Sequence, residues 1–256
     1  MGIGEEAACA ILHFCGTRKL KFAGLAGCGI ELGSGRSTNL STGDILDFID
    51  KAGSLVQLDL RHNPMAEEGY RRLGEHLLNA DRGGLSKAET GGKAVTQVGA
   101  KVASLSTDAF EIYDGDTEFI GEHQLFTKAK GSDPRRHPEM PSSFTAGVAI
   151  CLAGVLKNNT TLTKLDLEAH GMKPDVATAL EQGLAGCENL KELILANNTD
   201  LNEKAIISVC AALEGKLMEV LDISNIKIKV AGCKALVNFM GSTGSPKLKL
   251  ILGQDH

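Results

Sequence analysis

One apolar spacing recurs along the chain and restricts the folds open to it more than any other feature. Leu162, Leu165 and Leu167 are followed by His170 and Met172, and 28 residues on come Leu190, Leu193 and Leu195 with Asn198. Another 28 give Met218, Leu221 and Ile223 with Ile228 closing, and 29 more give Lys247, Leu250 and Leu252. Upstream, Leu55, Leu58 and Leu60 with Asn63 and Met65 hold the same frame. A constant period of this length marks stacked supersecondary units. In each LxL pair, such as Leu165 and Leu167, the two apolar residues point one way and the residue between them the other, as strand alternation requires. The intervening segments carry helical spacing: Val176, Ala179, Leu180 and Leu184; Ile206, Ile207, Val209, Cys210 and Leu213; then Leu236, Phe239 and Met240. Asn202 suits an N-cap with Glu203 in the first turn, and Pro174 sits where a first turn tolerates it.

Written out, the pattern is LxxLxLxxN-x-L, carried by LVQLDLRHNPM, LTKLDLEAHGM, LKELILANNTDL and MEVLDISNIKI. These stretches resemble the leucine-rich repeat family, specifically its ribonuclease-inhibitor-like subclass. The match covers Asn158 to Leu252 and roughly Gly53 to Ala80, a little under half of the chain. The resemblance implies an α/β leucine-rich repeat solenoid, curved, with a parallel inner sheet and outer helices. Such a motif specifies a fold and says almost nothing about an activity. The physics agrees with it, because a single unit cannot bury its own apolar face and is stable only in an array. His170 stands where the family places Asn, and its imidazole can still donate to a backbone carbonyl; Ile226, at the equivalent place, cannot, which predicts a looser turn there.

The period breaks in the first 140 residues. Leu20, Phe22 and Leu25 suit an irregular first strand, Asp44 to Lys51 its helix, and Glu5 to Phe14 an N-terminal cap. Ala66 to Leu78 is helical in spacing and belongs with the Leu55 unit. Gly83, Gly84, Gly91 and Gly92 mark Ala80 to Gly92 as a loop, Val95, Val98 and Val102 predict a short helix over Lys93 to Leu105, and Asp108 to Leu125 has room for a degraded strand near Phe119. Residues 128–143 are polar and hold Pro134, Pro138 and Pro141, which predicts an insertion before a helix from Phe144 to Leu156. The expected organisation is therefore a cap and irregular first repeat over 1–52, one clear repeat with degenerate repeats and the insertion over 53–143, and regular repeats with a terminal strand over 144–256. That strand has no helix after it, so its edge is either paired by something or protected only by Lys247 and Lys249.

Composition narrows the function classes. Aromatics make up 4 % of the 256 residues, with no Trp, and the net charge is −5 with both signs interspersed, so neither a basic field nor stacking platforms favour nucleic acid. Nothing approaches the length of apolar run that a membrane span needs. Glu5 and Glu6 take the place of a basic leader region, and Glu6 also spoils a myristoylation signal. The seven Cys are an odd number, scattered and without a CxxC pair, which predicts reduced, mostly buried thiols and a cytoplasmic or other reducing intracellular compartment. Cys187, Cys210 and Cys233 are 23 apart, out of phase with the repeat, and cannot stack as a ladder.

Candidate chemistry is thin. Gly33 to Thr38 lacks the first Gly and the Lys of a phosphate loop, Asp114-Gly115-Asp116 lacks the spacing of a calcium loop, and the His residues form no HExxH. Neither a catalytic constellation, a cofactor, a metal nor a small-molecule substrate is expected. The residues beside the strand leucines are of more interest. Asp59, Asp166 and Asp222 share one phase, with Ile194 between; Arg61 and Glu168 lie two residues further, and Lys164 and Glu192 two before. These seven side chains are the candidate partner-binding strip of the concave face. Arg135 and Arg136, in a basic loop with Lys128, Lys130 and His137, are a second candidate contact for an acidic partner. The expected function is a non-enzymatic protein–protein interaction scaffold, a subunit or adaptor of a larger assembly. The alternative is a GTPase regulator resembling the Ran GTPase-activating protein, which shares the subclass; no motif for it is identifiable, and Arg135 or Arg136 would have to act on the partner.

Overall fold

The computed structural model describes residues 10–11, 14, 19–28, 42–63, 65–79, 101–120 and 144–253. In chain order these hold β1 (Phe22–Gly24), α1 (Thr42–Lys51), β2 (Gln57–Asp59), α2 (Glu67–Leu78), β3 (Ser104–Ser106), β4 (Glu111–Ile112) and β5 (Glu118–Ile120). After them come α3 (Ala146–Leu156), β6 (Lys164–Asp166), α4 (Pro174–Gly186), β7 (Glu192–Ile194), α5 (Glu203–Ala212), β8 (Val220–Asp222), α6 (Val230–Ser242) and β9 (Lys249–Ile251). The result is mixed α/β with two mainly parallel sheets.

Strands β1 to β3 run parallel and β4 closes that sheet antiparallel to β3. The second sheet, β5 to β9, is parallel throughout. Register follows the sequence period: Phe119, Leu165, Leu193, Leu221 and Leu250 stand side by side in the second sheet, as do Ala23, Leu58 and Leu105 in the first. Leu58, Leu105, Leu165, Leu193 and Leu221 are fully buried and belong to one apolar core that spans both sheets. The ladder of hydrogen bonds continues past the strands into the turns, from Leu167 N to Ile194 O at 2.9 Å and from Ala169 N to Ala196 O at 2.9 Å.

The helices pack in sequence order, α2 on α3, α3 on α4, α4 on α5 and α5 on α6. Glycines set the closest of these contacts. A Cβ on Gly74 would overlap the backbone of Ile150 and Cys151, and one on Gly183 would overlap Ala153. Lysines close helix ends across the stack: Lys157 Nζ donates to Leu78 O at 2.7 Å, and Lys216 Nζ donates to Ala185 O and Cys187 O, both at 3.0 Å.

Two local expectations change. The helix expected over Lys93 to Leu105 ends otherwise: residues 101–103 are irregular and Leu105 lies in β3, where it fills the row begun by Ala23 and Leu58. The stretch after it holds two strands, β4 and β5, instead of one near Phe119. Cys151, Cys187 and Cys210 are buried, whereas Cys233 is exposed. The Gly33 to Thr38 loop, the loop from Ala80 to Gly92, most of the Glu5 to Phe14 cap and residues 128–143 lie outside the described residues.

Candidate functional site

Because the leucines face the helices, the residues between them face away, and the parallel register aligns them into rows. One row of the second sheet reads Glu118, Lys164, Glu192, Val220 and Lys249. The next reads Asp166, Ile194, Asp222 and Ile251. The structure thus brings together Lys164, Asp166, Glu168, Glu192 and Asp222 on one sheet and places Asp59 and Arg61 on the other. Arg135 and Arg136 lie outside the described residues.

The three aspartates do a structural job at this surface. Each ends its strand and turns its carboxylate onto the backbone two residues later: Asp59 Oδ1 accepts from Arg61 N at 3.0 Å, Asp166 Oδ1 from Glu168 N at 3.0 Å and Asp222 Oδ1 from Ser224 N at 2.9 Å. A short acidic side chain at that phase makes an Asx turn that leads the chain out of the sheet. After β2, β6, β7 and β8 the turn then passes through a left-handed residue: His62 (φ 59°), Ala169 (φ 53°), Asn197 (φ 61°) and Asn225 (φ 60°).

Below the turns lies a buried polar spine. Asn198 Nδ2 donates to Leu195 O at 2.8 Å and Leu167 O at 2.9 Å, while its Oδ1 accepts from Met172 N at 3.0 Å. Asn63 does likewise, donating to Leu25 O at 2.8 Å and Leu60 O at 3.0 Å. His170 takes this place in its own unit, with Nδ1 2.7 Å from Glu168 O, so Nδ1 carries the proton, and its ring meets Phe144 edge-on at 5.6 Å. Ile226 is buried there instead and offers no polar side chain.

Charge on the first sheet is internally matched. Arg61 forks onto Asp59, Nε to Oδ1 at 3.0 Å and Nη2 to Oδ2 at 2.8 Å, and its Nη1 reaches Glu111 Oε1 at 3.1 Å. The Tyr113 hydroxyl donates to Glu111 Oε2 at 3.1 Å. The hydrogen bond from Arg61 holds the Asp59 carboxyl below the ordinary carboxylate range. One guanidinium shared by two carboxylates leaves this patch no excess positive charge for a partner.

The second sheet is less self-contained. Lys164 Nζ lies 3.6 Å from Glu118 Oε2, and Glu168 Oε1 accepts from Asn197 Nδ2 at 2.6 Å, whose own Oδ1 accepts from Asn225 Nδ2 at 2.7 Å. The Glu192 carboxylate has no hydrogen-bond or ion-pair partner among the described residues. Sequence reasoning missed Glu111, Tyr113 and Glu118, which lie where the period fails. It also passed over Asn197 and Asn225, although their 28-residue separation was visible. Among the described residues, groups of three or more His, Cys, Asp or Glu suited to a metal ion are absent, and no helix is long and apolar enough to cross a membrane.

No protein-family model matches the chain, and no curated protein matches it. Among solved structures it is similar to the leucine-rich repeat-containing protein LegL7 from Legionella pneumophila, with 13 % identity over 81 % of this chain and 79 % of that one and a TM-score of 0.21.

Proposed function

We propose that the chain is a leucine-rich repeat solenoid of the ribonuclease-inhibitor-like kind that works without chemistry of its own, as an interaction scaffold in a reducing intracellular compartment. The partner is a protein, bound across the outward face of the second sheet. The observation that carries this reading is the in-register row of Glu118, Lys164 and Glu192 beside Asp166 and Asp222. Its backbone is fixed by the sheet and the turns, so contact surrenders little conformational freedom. Lys164 and Glu192 are the residues of choice for recognition, because neither holds a turn together and both can be exchanged without touching the core.

The test is a pull-down from native lysate at low and moderate salt, with mass spectrometry of the retained proteins, using the wild-type chain and the double variant Lys164→Glu, Glu192→Lys. A stoichiometric partner held by the wild type and lost from the variant, with unchanged thermal midpoint, is the expected result. Identical retention by both chains would remove the sheet face from the proposal, and a wild-type chain recovered alone at both salts would end the scaffold reading.

A further inference from the structure

Each sheet carries a row in which two carboxylates flank a neutral residue on the strand between them. In the first sheet the row is Asp59, Ser106 and Glu111, on β2, β3 and β4. In the second it is Asp166, Ile194 and Asp222, on β6, β7 and β8. One guanidinium spans the first row: Arg61 Nη2 donates to Asp59 Oδ2 at 2.8 Å and Nη1 to Glu111 Oε1 at 3.1 Å. Asp166 and Asp222 share the phase of Asp59, and each turns Oδ1 onto the backbone as Asp59 does. Their Oδ2 atoms have no hydrogen-bond or ion-pair partner among the described residues. The place of Arg61, two residues beyond the aspartate, is held here by Glu168 and Ser224, neither of which carries a positive charge.

The second row is built for the group that the first already holds. Neighbouring strands stand about 4.8 Å apart, so Asp166 and Asp222 are roughly 10 Å apart at Cα, with one strand between them as on the first sheet. A lysine ammonium is a point charge, whereas a guanidinium donates from two edges to two carboxylates. The floor of the row is the half-buried Ile194, an apolar surface suited to the flat, weakly hydrated face of a guanidinium and unsuited to a strongly hydrated ammonium. Glu192, also half-buried and without a partner among the described residues, adds negative charge two residues along the same strand. We propose that this row takes an arginine side chain of the partner protein, an inference that rests on the reading of this face as the partner-binding surface. The guanidinium lies over Ile194 and donates to Asp166 and Asp222 as that of Arg61 donates to Asp59 and Glu111.

The test follows the side-chain carboxyl carbons of Asp59, Asp166 and Asp222 and the Ile194 methyls by NMR, while Nα-acetyl-arginine methylamide or its lysine counterpart is added to the full chain. Asp166, Asp222 and Ile194 should shift together and saturably, with affinity about fivefold or more higher for the arginine compound, while Asp59, already held by Arg61, stays still. The double variant Asp166→Asn, Asp222→Asn keeps an accepting oxygen for each turn and removes both charges, so it should abolish the response without moving the thermal midpoint. Glu168→Arg gives the second row an arginine of its own, which should compete with the added compound and weaken its binding about tenfold. No saturable response in the wild type, equal response to the two compounds, a response that survives in the double variant, or indifference to Glu168→Arg would overturn the proposal. So would a dimer in sedimentation that the double variant dissolves, since a second copy would then hold the face. A lysate partner lost from the Lys164→Glu, Glu192→Lys chain but kept by the Asn double variant would overturn the arginine and leave the sheet face as the binding surface.

Discussion

Asn198 ties three backbone groups of two adjacent turns to one side chain while fully buried itself. Asn198→Leu keeps the branching and heavy-atom count of the side chain and strands Leu167 O, Leu195 O and Met172 N away from water, so the expected loss is about 3 kcal/mol of unfolding free energy, read from the denaturant midpoint. Ala169 offers the opposite case. It is the one left-handed position among the four filled by Ala, whose Cβ crowds the carbonyl there, while Asn tolerates that conformation. Ala169→Asn should therefore raise stability by about 1 kcal/mol in the same measurement. Asp59 carries a pH dependence: its folded carboxyl titrates below the unfolded value of about 3.9, so its contribution is complete above that value and is lost as pH falls through the folded one. Arg61→Met should move the Asp59 titration, followed by carboxyl NMR, back up towards the ordinary range. The Asn spine was legible because Asn63 and Asn198 sit three residues beyond a leucine triplet. The turn role of the aspartates was not, since a shared phase is equally what a solvent-facing strip would show.

At the scale of elements, helices were the more legible part. Asn202 caps α5, accepting from Lys204 N at 3.0 Å, and Pro174 opens α4, both as their residue types dictate. Strand β3 escaped because Ser104 and Ser106 flank a single leucine and because Leu105 lies 47 residues beyond Leu58, outside the 28-residue frame. The valines before it imposed a helical spacing that outweighed one strand position. Close helix packing was also invisible, since a glycine in a helical run reads as a weakness until its neighbour is known. Gly183 faces the backbone of Ala153, and Gly183→Ala puts a methyl where that backbone stands. The expected cost is about 1–3 kcal/mol, against the gain of a few tenths to 1 kcal/mol that the same exchange gives at an open helix position. Thermal denaturation of Gly183→Ala beside Gly241→Ala, where nothing crowds the added Cβ, separates packing from propensity.

For the molecule as a whole, the hydrogen-bonded sheet is interrupted between β4 and β5 while the helices are not. The antiparallel pairing of β4 with β3 consumes the edge that β5 would otherwise extend, so the backbone ladder does not carry cooperativity across this point. Packing of α2 on α3 does, and it is the most extensive helix contact among the described residues, closed by Gly74 and Gly154 facing each other. In an array of units each stabilised by its neighbours, one weakened interface converts a single transition into two. Gly74→Val drives a branched side chain into the backbone of Ile150 and Cys151. The wild-type chain should open its Leu58 and Leu193 amides with equal free energy as denaturant rises in native-state hydrogen exchange, because β2 and β7 unfold together. In Gly74→Val the two should separate, Leu58 exchanging through a weaker local opening while Leu193 keeps close to its original protection. Equal loss at both amides would mean instead that coupling runs through the shared leucine core beneath the sheets and not through the helix layer.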